Sequence, residues 1–223
     1  MNKAVTLLTL LFSVITFAQT KIDEHITVKF PGEPQTFEDV TKSDTLNQNY
    51  QSVLNAYYLN SDQESYVVLR VSVVVNDDLE PDLPASKKEL LKNYKNFVTQ
   101  HITDMAQKNL LFKDSTQIML NDLIAYKITF KASDSEEENG ESLLLFANGI
   151  SYVFIYSKVD SYSKGNKEKF FKSIAFTNSK AIKQIAEPFN YWGALLKLIS
   201  SVFLIFFAVK LIRKQNSASS SSK

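Results

Sequence analysis

Two hydrophobic periods alternate along this chain, and their order predicts its architecture. Ile26–Phe30 (ITVKF) reads as a short strand, stopped by Pro31-Gly32-Glu33-Pro34. Gln51–Leu59 and Tyr66–Val75 read as a pair of strands across the polar loop Asn60–Glu64. The second places Val67, Leu69, Val71, Val73 and Val75 on one side at period two. The stretch NDDLEPDLPA follows, where Pro81 and Pro84 forbid a regular element. The period then changes. Ser86 and Glu89 form an S-x-x-E capping box, and Leu90, Leu91, Tyr94, Phe97, Val98, Ile102 and Met105 recur at helical spacing. One long amphipathic helix is expected to run from there to near Asn109.

Period two returns afterwards. Leu110–Leu120 leads through Asn121-Asp122 into Leu123–Ala132, where Ile124, Tyr126, Ile128 and Phe130 alternate with Ala125, Lys127, Thr129 and Lys131. The acidic stretch DSEEENGE reads as a loop. Glu141–Ala147 and Ile150–Ser157 are joined by Asn148-Gly149, a strong hairpin signal. A short closing helix near Asn166–Ser173 offers Phe170, Phe171 and Ile174 to the sheet. The expected fold class is α+β: an antiparallel sheet of six or seven strands with one long helix on a face and a short C-terminal helix, followed by a single transmembrane helix.

A strand ending in Phe-Pro-Gly within FPGEP, a hairpin, one amphipathic helix, further antiparallel strands and a closing FFKSIAF make residues 26–176 similar to the PsbP/Mog1-type fold. The resemblance implies a binding or accessory protein, often attached to a membrane, with no shared catalytic residues. It transfers no site residue.

The two ends predict where the chain resides. MNKAVTLLTLLFSVITFAQT has a charged n-region at Lys3, an apolar h-region and the small-x-small site Thr16-Phe17-Ala18, as in a signal peptide over 1–18. Tyr191–Ile212 is an apolar segment of about 22 residues, roughly 33 Å as a helix. Lys197 interrupts it, near enough to the outer end to snorkel toward headgroups or to pair with an acid on a neighbouring helix. Tyr191 and Trp192 supply an interfacial anchor, and Lys210, Arg213 and Lys214 a positive inner flank. An amphipathic helix lying on the membrane fits poorly, because Leu198–Val209 is apolar all round except for Ser200 and Ser201. The expected order is a signal peptide 1–18, an extracytoplasmic domain 19–178, a juxtamembrane stalk 179–190, a transmembrane helix 191–212 and a cytoplasmic tail 213–223. That order places the chain in the cytoplasmic membrane with its N-terminal domain outside and its C-terminus inside.

Charge follows the same division. Residues 20–178 carry 17 Lys+Arg and 23 Asp+Glu, while residue 179 onward carries seven Lys+Arg and one acid, Glu187. An acidic domain argues against nucleic acid as a partner. The basic end suits a lipid membrane. The absence of cysteine removes disulfides, thiolate metal sites and a lipoprotein anchor, and inclines the reading toward a bacterial envelope protein.

Candidate chemistry is sparse. His25 and His101 are the only histidines, and neither has a carboxylate at a recognised ligand spacing. Asp134, Glu136, Glu137, Glu138 and Glu141 offer hard ligands, but they miss the EF-hand pattern and read first as a solvated hairpin tip. No metal, cofactor or catalytic residue is expected. The candidate binding face is aromatic. Ile150, Tyr152, Phe154 and Tyr156 share one face of their strand, and Val153 and Ile155 the other. Such a strand is either central and covered on both sides or part of an open face that takes a partner. Tyr57, Tyr58, Tyr66, Tyr152 and Tyr156 are the candidates for that open face. The function expected is a membrane-anchored binding or accessory module engaging a membrane or envelope protein, and the alternative is an envelope hydrolase or cation-binding protein.

Overall fold

The computed structural model describes residues 19–45, 48–61, 63–75, 83–133, 135–158 and 163–187. The expected signal peptide 1–18, Asp134, most of the NDDLEPDLPA stretch, the expected transmembrane segment with Lys197, and the tail all lie outside them. Among the described residues no helix is long and apolar enough to cross a membrane.

The chain is α+β with antiparallel sheets. Its strands are β1 (Gln19–Lys21), β2 (Ile26–Lys29), β3 (Gln35–Thr45), β4 (Gln48–Ser61), β5 (Glu64–Val75), β6 (Leu110–Leu120), β7 (Leu123–Ala132), β8 (Glu138–Ala147), β9 (Ile150–Lys158) and β10 (Ala175–Phe176). Helix α1 is Lys87–Ala106 and helix α2 is Lys164–Lys172. Seven strands form one sheet in the order β3-β4-β5-β9-β8-β7-β6, and β1-β2-β10 form a smaller one. The large sheet is two meanders. β3 to β5 run to its middle, α1 carries the chain to the far edge, and β6 to β9 return so that β9 pairs with β5.

Local sequence fixes the corners. Asn121 and Asp122 between β6 and β7, and Asn148 and Gly149 between β8 and β9, all have positive φ. That backbone matches the twist of a two-residue hairpin, and Asn, Asp and Gly tolerate it best. Helix α1 begins at the pair the sequence singles out: Ser86 Oγ accepts from Glu89 N as in a capping box, while the Glu89 carboxylate accepts from Ala85 N at 2.8 Å, one residue before the N-cap. It ends at Ala106, three residues short of expectation, and Asn109 turns the chain with φ of 61°.

Each face of the sheet is covered by a different layer. Leu90, Tyr94, His101 and Met105 form the buried side of α1. Against them pack Ile124, Ile128, Phe130, Leu144, Val153 and Ile155 from the sheet. On the opposite face Val68, Leu143, Leu145, Tyr152, Phe154 and Tyr156 pack under β2 and α2, which contribute Ile26, Val28, Phe30 and Phe170. β9 is the strand these layers share, and Tyr152 through Tyr156 are all buried.

Three features depart from the expectation. Strand β3 goes beyond the expectation, because its residues 35–42 are exposed on both faces and leave no period; at this edge Phe37 is 55% and Val40 41% exposed. Strand β8 begins at Glu138, so the acidic loop is shorter than its composition suggests. The expected stalk is corrected for residues 179–186, which dock on the domain. Ile182 is buried in the core, and Ile185 packs beside Leu90 and Tyr94. Gln184 clamps the backbone of Ile124, accepting from its N–H at 2.7 Å and donating to its carbonyl at 2.8 Å. The compact unit ends at Ala186.

Candidate functional site

The five tyrosines do not make one open face. Alternation along β4 sends Tyr57 to the α2 side of the sheet and Tyr58 to the α1 side, since their β5 partners Val68 and Val67 lie on opposite faces. Tyr66, Tyr152 and Tyr156 share the α2 side with Tyr57, but all three are buried. The reading of these three as an exposed binding surface is therefore corrected. Their rings are core, and their hydroxyls point to two carboxylates, the buried Glu64 and the part-buried Asp23.

Glu64 is the first of these carboxylates. It opens β5, where pairing sets it across from Lys158 on β9, with Tyr66 beside it opposite Tyr156. Tyr66 donates to Oε2 at 2.6 Å and Tyr156 to Oε1 at 2.9 Å. Asn166 of α2 donates to both oxygens at 3.0 and 3.1 Å, and Lys158 Nζ lies 3.5 Å from Oε1. Burial is the largest single influence and works against ionisation, yet the hydrogen bonds from Tyr66, Asn166 and Tyr156 and the charge of Lys158 outweigh it. The Glu64 carboxyl is held below its ordinary pKa. Burial and the Glu64 carboxylate push the Tyr66 hydroxyl well above the ordinary tyrosine value, so it stays a donor.

Asp23, in the turn between β1 and β2, is the second. One oxygen accepts from His25 N and Ile26 N at 2.8 and 2.9 Å, and the other takes the Tyr152 hydroxyl and Arg70 Nε. Tyr57 donates to Ile22 O at 3.1 Å beside it. This knot staples the small sheet to the large one. Glu141, opposite Tyr156 in the sheet, is held instead by a lysine, Lys167 of α2 at 2.8 Å, with Lys127 at 3.9 Å.

A cavity of about 440 Å³ opens beside the Glu64 knot. Phe30, Pro31, Tyr66 and Phe170 wall it with apolar and aromatic surface. The rings are mutually braced, with Phe170 lying 5.6 Å from Phe30 and 5.3 Å from Tyr66 between centroids. Glu64 and Asn166 reach it from the interior, Ser61 and Ser173 contribute hydroxyls, and Lys29 and Lys169 bring exposed cationic chains. Its volume and its largely apolar lining are those of a small-molecule site. The only one of the five tyrosines to line it is Tyr66.

The remaining candidates are placed elsewhere. His101 Nε2 lies 2.9 Å from Ser142 Oγ, a spacing a serine hydrolase would use. Ser142 has no exposed surface, being sealed between α1 and the sheet, and Phe130 stands edge-on to the imidazole. Burial depresses the His101 pKa to about 4. The pair is a packed polar contact that no substrate reaches. His25 faces Glu24 at 3.2 Å near the surface. Of the acidic run, Glu136 pairs with Lys131 and Glu141 turns inward to Lys167. No three potential metal ligands gather among the described residues.

Sequence reasoning missed Glu64, Asp23 and Asn166. The only signal for them was a carboxylate at the head of a valine-rich strand and another beside a short strand, and partners for both lie far along the chain. No family model, curated protein or solved structure matches the chain.

Proposed function

We propose that this chain is a membrane-anchored, extracytoplasmic binding or accessory module that engages a protein or another component of the envelope. The observation that carries the binding half is the aromatic-walled cavity between β2, β5 and α2. The buried Glu64 carboxylate at its wall is spent on neighbouring donors, so the site presents shape and charge to a ligand instead of an activated group. The PsbP/Mog1-like order of elements carries the same expectation of an accessory role.

The anchored half rests on the sequence of the two ends. A tether would confine the module to two dimensions and raise the local concentration of membrane-resident partners without new contacts.

Mild crosslinking in native membranes, followed by purification through the C-terminal tail, tests the proposal. A stoichiometric partner is expected. Recovery of the chain alone, under conditions that trap a control membrane complex, would contradict the accessory role.

A further inference from the structure

We infer that the cavity between β2, β5 and α2 binds an amphipathic anion: an apolar chain ending in one carboxylate or phosphate. This deepens the binding reading above and rests on it. Among the described residues Glu64 is the only acid lining the cavity. Its oxygens already take the Tyr66 and Tyr156 hydroxyls and the Asn166 amide, with the Lys158 ammonium beside them. A ligand ammonium would have to displace one of these donors from a buried carboxylate, so this end of the cavity is closed to cations. Lys29 and Lys169 have the opposite standing. Both are exposed, both line the cavity, and neither is in an ion pair among the described residues.

With Lys158 neutralising Glu64, the two lysines leave the cavity positive, and an anionic head between them satisfies both. The apolar part of the ligand then lies on Phe30, Tyr66 and Phe170, where Phe170 meets Tyr66 edge-on and Phe30 at a tilt, bracing the wall. The volume of about 440 Å³ admits a short chain. It falls in the range of roughly 300–1,000 Å³ typical of small-molecule sites.

The test uses the full-length protein in phosphatidylcholine nanodiscs and a diazirine-bearing decanoate as the probe. Photolabel should map to the peptides carrying Phe30, Tyr66 and Phe170. The double variant Lys29→Gln/Lys169→Gln should label about tenfold less, the loss expected when a charged contact worth about 1.4 kcal/mol is removed. Lys29→Arg/Lys169→Arg should restore labelling, which separates a charge effect from misfolding. A diazirine-bearing decanol should label wild type and double variant alike and weakly. Competition by decanoate but not by phosphatidylglycerol vesicles would assign a free amphiphile, and the reverse a membrane lipid; both support the anion.

Equal labelling by acid and alcohol, unchanged labelling of the Gln variant, or label elsewhere on the chain would overturn the inference. A partner captured in native membranes alongside such a result would leave the accessory role standing. Labelling as expected with no partner captured would overturn that role and keep the site.

Discussion

Tyr66 and Glu64, two residues apart on one side of β5, are joined by a hydrogen bond of 2.6 Å from the tyrosine hydroxyl to a buried carboxylate oxygen. The strand thereby folds a charge into the core and supplies its own donor for it. Tyr156 completes the pair from β9, and Asn166 ties α2 to the same group.

Replacing Tyr66 with Phe keeps the ring against Phe170 and removes only that donor. A hydrogen bond to a charged group is worth about 1.5–3 kcal/mol, so a loss of that order is expected at pH 7. The sign of the pH dependence follows from the lowered Glu64 pKa. Glu64 contributes stability above its unfolded pKa, and that contribution disappears as pH falls through the lower folded value. Tyr66→Phe removes one of the causes of the lowering, so the variant should lose less than wild type between pH 7 and the acid limb. Urea unfolding of both proteins across that range measures the difference. Parallel curves would remove Tyr66 from the account of the charge.

His101 gives a second, separate pH window. Its folded pKa is about 4, against about 6.5 when unfolded, so the unfolded chain binds more protons between these values. Stability should fall as pH drops through that interval, by about 3 kcal/mol at most. The ring should remain neutral in the folded protein, and its NMR titration should show no midpoint above pH 5. A midpoint near the ordinary value would mean that the imidazole reaches water and that the His101–Ser142 contact is open.

Gln184 closes the end of the sheet. Its amide serves the Ile124 N–H and carbonyl, the Phe146 carbonyl at 2.7 Å and the Tyr94 hydroxyl at 3.2 Å. Gln184→Ala leaves the Ile124 N–H without this acceptor, and a loss of about 1–3 kcal/mol is expected. Hydrogen exchange at Ile124 should quicken first. A chain truncated after Asn178, the boundary the sequence suggested, should be less stable than one truncated after Glu187. Equal stabilities would show that the docked segment contributes nothing.

Where burial leaves a period, the sequence was legible. The stripe on α1 and the alternation of β5 and β7 follow from faces that touch the core, the unbroken apolar run of β9 from burial on both faces, and Asn121-Asp122 and Asn148-Gly149 locate two hairpins. β3 left no such mark, because both its faces meet solvent over most of its length. The tyrosine face was half legible. Period two shows that Tyr152 and Tyr156 point the same way, but the same pattern serves an open face and a covered one. The cover comes from β2 and α2, which are short and read as weak elements. Glu64 stayed hidden for another reason: Tyr156 lies 92 residues and Asn166 102 residues away, and no local spacing records such partners.

We propose that the domain built on Gln19–Ala186 faces outward on a tether whose end lies in the cytoplasm. Protease added to intact spheroplasts carrying an epitope on the tail tests it most directly. The account predicts that the domain is degraded while a short tail fragment survives in the membrane until the bilayer is opened. Loss of the tail epitope before the domain, or protection of both, would contradict it.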